Sequence, residues 1–282
     1  MTTLTKSVVV GRPSLARRLA WAARDTLVLT RRSLARIARE PETLSDVTIQ
    51  PLVFVLLFSY VFGSAIRIPG GGNYHEYLLG GMIGIGLAGT AMGTAVGMAS
   101  DMATGLIDRF RSLPMSRAAV LAGRTIADVG TQIIGLAVVV ACGLAIGWRI
   151  HSGVGDALAA FGLALLFGYA MSWFGAFLGM LMRSAESAQQ IGFVGFFPLM
   201  FVSNVFVPTQ GMPGWLQAAA DWNPISALAA SCRHLFGNPD PAASIGAWPM
   251  QHPELAVLAW SAGMLAVFAP AAVALFRRKT RG

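Results

Sequence analysis

Of the chain's 282 residues, 55% are hydrophobic and 12% charged, and the mean hydropathy is +0.62. A soluble protein is about a quarter charged, so this composition excludes an ordinary water-soluble globule and leaves a membrane protein. The formal net charge of +8 is almost wholly arginine, since Lys6 and Lys279 are the only lysines; cations that flank apolar spans favour membrane orientation over nucleic-acid binding.

Residues 1–13 are polar, and no short apolar core with a small-residue cleavage site marks a leader. Residues 14–40 have a helical but not a transmembrane pattern. Leu15, Leu19, Trp21, Leu27, Leu34 and Ile37 interleave with Arg17, Arg18, Arg24, Arg31, Arg32, Arg36 and Arg39. Such a basic amphipathic helix lies in the interface, its apolar side in the acyl boundary and its arginines among lipid phosphates. Pro41 is expected to end it.

Six apolar spans follow, at 47–66, 77–100, 125–148, 157–182, 189–207 and 255–276. Each approaches the roughly 20 residues that cross a ~30 Å hydrocarbon core. The expected fold is all-α and integral to the membrane: a cytoplasmic segment at 1–46, a six-helix transmembrane domain over 47–276 and a basic cytoplasmic tail at 277–282. Lysines and arginines in the connections set the orientation. One side collects the N-terminal segment, Arg109, Arg111, Arg117, Arg124, Arg183 and the tail, eighteen cations in all, against Arg67, Arg149 and Arg233 on the other. Both termini are therefore expected in the cytoplasm, as an even number of spans requires.

In span two, Gly89, Gly93 and Gly97 recur every four residues. Small residues at that spacing let another helix approach closely where lipid supplies no hydrophobic force. The stripe is read as packing within the chain in preference to a seam between subunits, and Gly175 and Gly179 do the same in span four. Pro198 is expected to kink span five, with Asn204 near its outer end.

The outer loop, 208–254, holds half of the chain's 14 prolines. Pro213 and Gly214 open a short helix carrying Trp215, and Asn223-Pro224 starts a second, amphipathic one reaching about Leu235. Trp215 and Trp222 suit the interfacial aromatic belt. Both pieces are expected to dip into the outer leaflet under a cover of protein.

No Gly-Lys-Ser/Thr phosphate loop surrounds either lysine, and neither His-Glu-x-x-His nor Gly-x-Ser-x-Gly occurs. Cys142 and Cys232 are too far apart in context to imply a disulfide or a metal cluster, and the four scattered histidines are read as surface residues. Asp101, Asp128, Arg149 and Glu254 fall near span ends, which weakens a proton relay. What remains is an uncharged interior suited to hydrophobic or amphipathic cargo, driven from outside the chain.

The place to receive that drive is the connection between spans two and three. Gly105-Leu106-Ile107-Asp108-Arg109-Phe110-Arg111-Ser112-Leu113-Pro114 reads as a short helix with a proline-marked end that presents Phe110 between two arginines. This stretch resembles a signature of ABC-2 exporter permeases of the daunorubicin/doxorubicin-resistance branch. The runs 197–206 and 212–217 and the Asn223-Pro224 pair strengthen the likeness, which extends from the first span to the sixth.

The resemblance implies an elbow helix at 14–40, a coupling helix at about 103–117 and re-entrant outer helices between spans five and six. It also implies that Asp108, Arg109, Phe110, Arg111, Leu113 and Pro114 dock on a separately encoded ATP-binding subunit, with Arg183 and Glu186 a second cytoplasmic contact. Two permeases, copies or paralogues, would pair in a bacterial plasma membrane. The chain would bind no cofactor itself, with ATP and magnesium held by the partner. Export of hydrophobic drugs, antibiotics or lipids is the function implied. Export of polysaccharide or a lipid-linked polymer is the alternative. An intramembrane lipid-modifying enzyme would need polar residues clustered at one membrane depth, and none is visible in the sequence.

Overall fold

The computed structural model describes residues 41–63, 65, 66, 68, 69, 71–104 and 117–279. The amphipathic 14–40 segment and the whole 105–116 stretch lie outside the described residues, as does the tail beyond 279. Among the described residues every regular element is helical. Four of these described helices are long and apolar enough to cross a membrane: α2 (Tyr74–Ala103), α3 (Arg117–Ala145), α4 (Val154–Leu181) and α9 (Pro253–Lys279).

Two expected spans stop before the ends read from the sequence. The described residues begin at Pro41, which is already helical, and the expectation that Pro41 ends the preceding segment falls on residues outside them. This helix, α1 (Pro41–Leu57), passes into a π-helical turn (Phe58–Phe62), so helical geometry stops at Phe62 rather than at 66. The fifth, α5 (Ala185–Phe201), stops short of 207 because residues 202–207 leave helical geometry. Its first turn is capped by Ser184, whose Oγ accepts from the Ser187 N–H at 3.1 Å.

The outer loop is built as its punctuation indicates. Pro213 precedes α6 (Gly214–Asp221), and Asn223 caps α7 (Pro224–Phe236), accepting from the Ile225 N–H at 2.8 Å, with Pro224 at the first helical position. Gly237 ends α7 in the left-handed region, φ 68°, which spares a Cβ penalty. A short α8 (Trp248–Gln251) leads into α9.

Contacts separate the two ends of the bundle, which keep the labels outer (the first) and inner (the second) from the topology expected of the sequence. At one end Glu76 of α2 meets His151 of the α3–α4 turn at 2.8 Å, and the buried Trp148 indole donates to Asn238 Oδ1 at 2.8 Å. At the other end Asp101 and Arg124 pair across α2 and α3, and Lys279 Nζ donates to the Met180 carbonyl at 2.6 Å. The helix at the centre is α2, whose outer half is buried almost throughout and whose largest contact is with α4.

Close packing falls on other glycines than the stripe expected. Gly93 is exposed, and an added Cβ there would have nothing within 4 Å; at Gly89 it would meet only the Phe196 ring tip, at 3.8 Å. Gly97 makes room for the Arg124 guanidinium rather than for another helix. The helix-on-helix contact is made by Gly175 and Gly179 of α4 against the Ala91 and Ala95 backbone, and by Gly80, Gly81 and Gly84 of α2 under the outer segment.

Candidate functional sites at the two membrane faces

At the outer end, the chain leaves α5 and runs through residues 202–207 with Ser203, Asn204, Val205 and Phe206 all buried. Buried backbone without helical partners must be hydrogen-bonded by its neighbours. Asn223 does two jobs here. Its Oδ1 caps α7, while Nδ2 donates to the carbonyl of Leu199 at 2.6 Å and to that of Val202, the last turn of α5. The Ser226 hydroxyl accepts from the Asn204 N–H at 2.9 Å. From α2, Tyr74 Oη donates to the Phe206 carbonyl at 3.1 Å, and Tyr77 Oη to that of Asn204.

Arg233 completes this node. Counted from the sequence as an outer-loop cation, it is 0% exposed. Its Nε donates to the Tyr77 carbonyl at 2.8 Å and its Nη2 to the carbonyls of Asn204 and Val205 at 2.9 and 3.3 Å, while the guanidinium carbon lies 3.6 Å from the Tyr77 ring centroid. A signal for its burial was present. Ile225, Ala229 and Arg233 stand at i, i+4 and i+8, one face of α7, so the arginine shares the stripe of core residues. Pro213 and Trp215 lie outside the node: Pro213 caps α6, and Trp215 is 76% exposed.

Toward the inner end, polar side chains of α2, α3 and α4 meet. Asp128 accepts from Thr94 Oγ1 at 2.7 Å, and Gln132 Nε2 donates to Ser172 Oγ at 3.1 Å and to Thr90 Oγ1 at 3.4 Å. This corrects two expectations. Asp128 sits eleven residues inside α3, because the helix begins at Arg117 rather than at 125, and a polar cluster does exist within the bundle. The separated α-helical positions hid it: Thr90 and Thr94, and Asp128 and Gln132, each stand one turn apart on facing helices. Ser172 Oγ donates in turn to the Gly168 carbonyl, and the cluster links three helices.

The ion pair of Asp101 and Arg124 closes the inner end of α2 and α3, directly beside the connection that carries Asp108, Arg109, Phe110, Arg111, Leu113 and Pro114. Those six residues lie outside the described residues. Arg183 and Glu186 are exposed on either side of the Ser184 cap, at the α4–α5 turn.

One apolar surface is continuous. Phe193, Phe197 and Phe201 lie along one exposed face of α5 with ring centroids 5.1 and 4.5 Å apart. Phe201 leads to Phe206 at 5.6 Å, which stacks on Phe58 of the π turn at 4.2 Å. Among the described residues no group of histidine, cysteine, aspartate and glutamate could hold a metal ion.

A family model described as ABC-2 type transporter matches residues 24–236. The chain is 34% identical to the daunorubicin resistance ABC transporter permease protein DrrB1 of Streptomyces coeruleorubidus, over 92% of this chain and 88% of that protein. It is 25% identical to the probable doxorubicin resistance ABC transporter permease protein DrrC of Mycobacterium tuberculosis, over 91% of this chain and 90% of the relative. The putative transport permease ycf38 of Cyanophora paradoxa is 24% identical over 76% of this chain and 74% of its own length.

Proposed function

Because this chain belongs to the ABC-2 type transporter family, we propose that it is the permease subunit of an ATP-driven exporter that moves hydrophobic or amphipathic compounds, drugs and antibiotics among them, out of a bacterial cell. The observation that carries this reading is the nearly full-length likeness to permeases named for daunorubicin and doxorubicin resistance. The chain is a multi-pass membrane protein with α2, α3, α4 and α9 as full-length crossings. On our reading α1 with its π turn, and α5 with residues 202–207, complete six. Charge in the connections supports placing Asp101, Arg124, Arg183 and both termini on the cytoplasmic side of the plasma membrane.

In this reading the 103–117 connection is a coupling helix. Phe110 is an aromatic anchor, Asp108, Arg109 and Arg111 fix its orientation in a groove of a separate ATP-binding subunit, and Leu113 and Pro114 end it. Arg183 and Glu186 add a second contact at the neighbouring turn. ATP and magnesium are bound by that partner, and residues 14–40 form an elbow helix on the inner membrane surface. Two permeases pair to enclose the path.

The adjoining ion pair of Asp101 and Arg124 supports the coupling role, because it ties the inner end of α2 to that of α3 beside the connection. The phenylalanine faces of α5 and the π turn supply a surface for apolar, ring-bearing cargo without charge.

The test is Phe110→Ala combined with Arg111→Ala. The variant is expected to insert and fold as the parent does, yet no longer to co-purify with its ATP-binding subunit. Association and export that both survive would remove the coupling helix from the account.

A further inference from the structure

The tie that Arg233 makes is unusual in kind. Its partners are carbonyls of α2 and of segment 202–207, and it stands on a third element, α7, so one side chain binds three pieces of the outer end. The seam beneath it is tight. Added Cβ atoms at Gly80 and Gly81 would run into Arg233 Cγ at 2.8 Å and the Val205 carbonyl at 2.9 Å, and at Gly84 one would come within 3.4 Å of the Ile225 carbonyl.

A seam meant to stay closed is held as well or better by apolar side chains, because a buried charge must first be stripped of water. Here the charge is retained. Among the described residues Arg233 Nη1 and Asn204 Oδ1 are both buried without a protein hydrogen-bond partner. A guanidinium bound to carbonyls can exchange those bonds for water when the seam parts, whereas an apolar plug exposes only grease. Both features suit a joint that opens.

We infer that Arg233 is the latch of an outer gate, holding α7 and segment 202–207 against α2 until export parts them. The inference rests on the reading of the chain as an ATP-driven permease. Arg233 acts as a positioning residue, through the Tyr77, Asn204 and Val205 carbonyls, and need not touch cargo.

A native reporter lies beside it. Cys232 is 0% exposed and stands seven residues after Ile225, on the face of α7 that carries Ile225 and Ala229. With Cys142→Ser as background, the full chain in membranes with its ATP-binding subunit is treated from outside with a charged, membrane-impermeant methanethiosulfonate. Labelling of Cys232 is expected to be slow at rest. Trapping the nucleotide state with vanadate should speed it roughly tenfold or more, as a shift from a minor to a major open population requires.

Tyr77→Phe keeps the ring under the guanidinium and removes only the hydroxyl bond to Asn204. It is expected to raise the resting rate and to raise the ATP hydrolysed per cargo exported. A merely weakened fold would lower hydrolysis and export together, without changing their ratio. Arg233→Lys, which cannot span three carbonyls, should do the same more strongly. The latch is overturned if Cys232 stays equally protected at rest and in the trapped state while ATP-driven export proceeds. It is also overturned if Tyr77→Phe changes neither labelling nor ratio. A preparation without any ATP-dependent export would instead bring down the transport reading, and the latch with it.

Discussion

Gly175 of α4 lies so close to Ala91 of α2 that an added Cβ would run into the Ala91 carbonyl, and Gly179 stands in the same way to Ala95. Two residues one turn apart thus set how near the two helices can come, and dispersion between their backbones replaces the hydrophobic force missing in lipid. Gly175→Ala is expected to cost on the order of 1–3 kcal/mol through overpacking, seen as a lower melting temperature of the detergent-purified protein. Gly93→Ala, with nothing within 4 Å, should leave that temperature unchanged in the single subunit. Equal effects at the two positions would contradict the packing described.

Thr94 is the donor that holds Asp128 inside the bundle. Thr94→Val keeps the shape and removes the hydroxyl, leaving a carboxylate oxygen without that bond, at a cost of about 1–3 kcal/mol. Thr94→Ser should restore most of it. The pair of Asp101 and Arg124 is more exposed, so solvent screening limits it to about 1 kcal/mol or less. Its loss should show in export per ATP hydrolysed more than in thermal melting. A double-mutant cycle measured with both readouts checks this, and a large stability coupling with unchanged export would contradict it.

Asp221 closes α6 and accepts from Thr209 Oγ1 at 2.9 Å. Burial raises its carboxyl above the ordinary aspartate value of 3.8, with the threonine hydrogen bond pulling the other way. The folded protein therefore holds this proton to higher pH than the unfolded chain does. The stability this lends is full below the ordinary value and is lost as pH rises through the raised one. Compared with Asp221→Asn, the wild type is expected to lose melting temperature as pH climbs through the window just above 3.8. Parallel pH profiles for the two proteins would show that the buried proton is not there.

Phe197 stands in the middle of the α5 ring face. If ring-bearing cargo slides along that face, Phe197→Ala should raise the KM for an aromatic cargo severalfold, on the scale of an aromatic contact worth ~1 kcal/mol. ATP hydrolysis without cargo should be unaffected. An unchanged KM would assign the face to lipid.

The outer helices were legible in the sequence because their ends are written in residues with fixed backbone demands: Pro213, Asn223, Pro224 and Gly237 each sit where their chemistry places them. The long crossings were legible as apolar lengths. The ends of α1 and α5 were not, because hydropathy continues through residues 202–207 while helical geometry does not. The glycine stripe misled for a related reason. Spacing identifies residues that permit close approach, but only the folded chain decides which of several stripes has a helix on it. Arg233 and Asp128 were misplaced because counting a charge by its loop, or by its distance from a hydropathy boundary, ignores which helical face it occupies. The docking stretch around Phe110 was read from its residues together with the family resemblance and lies outside the described residues.

The central claim is that this permease works through a separate ATP-binding subunit. Its most direct test is purification of the tagged chain from its native membrane in mild detergent, identification of what accompanies it, and an ATPase assay on the product. The account predicts a stoichiometric subunit with a phosphate-binding loop, whose hydrolysis depends on this chain and is stimulated by hydrophobic cargo. A chain that purifies without such a partner, or with one whose hydrolysis is indifferent to its presence, would contradict it.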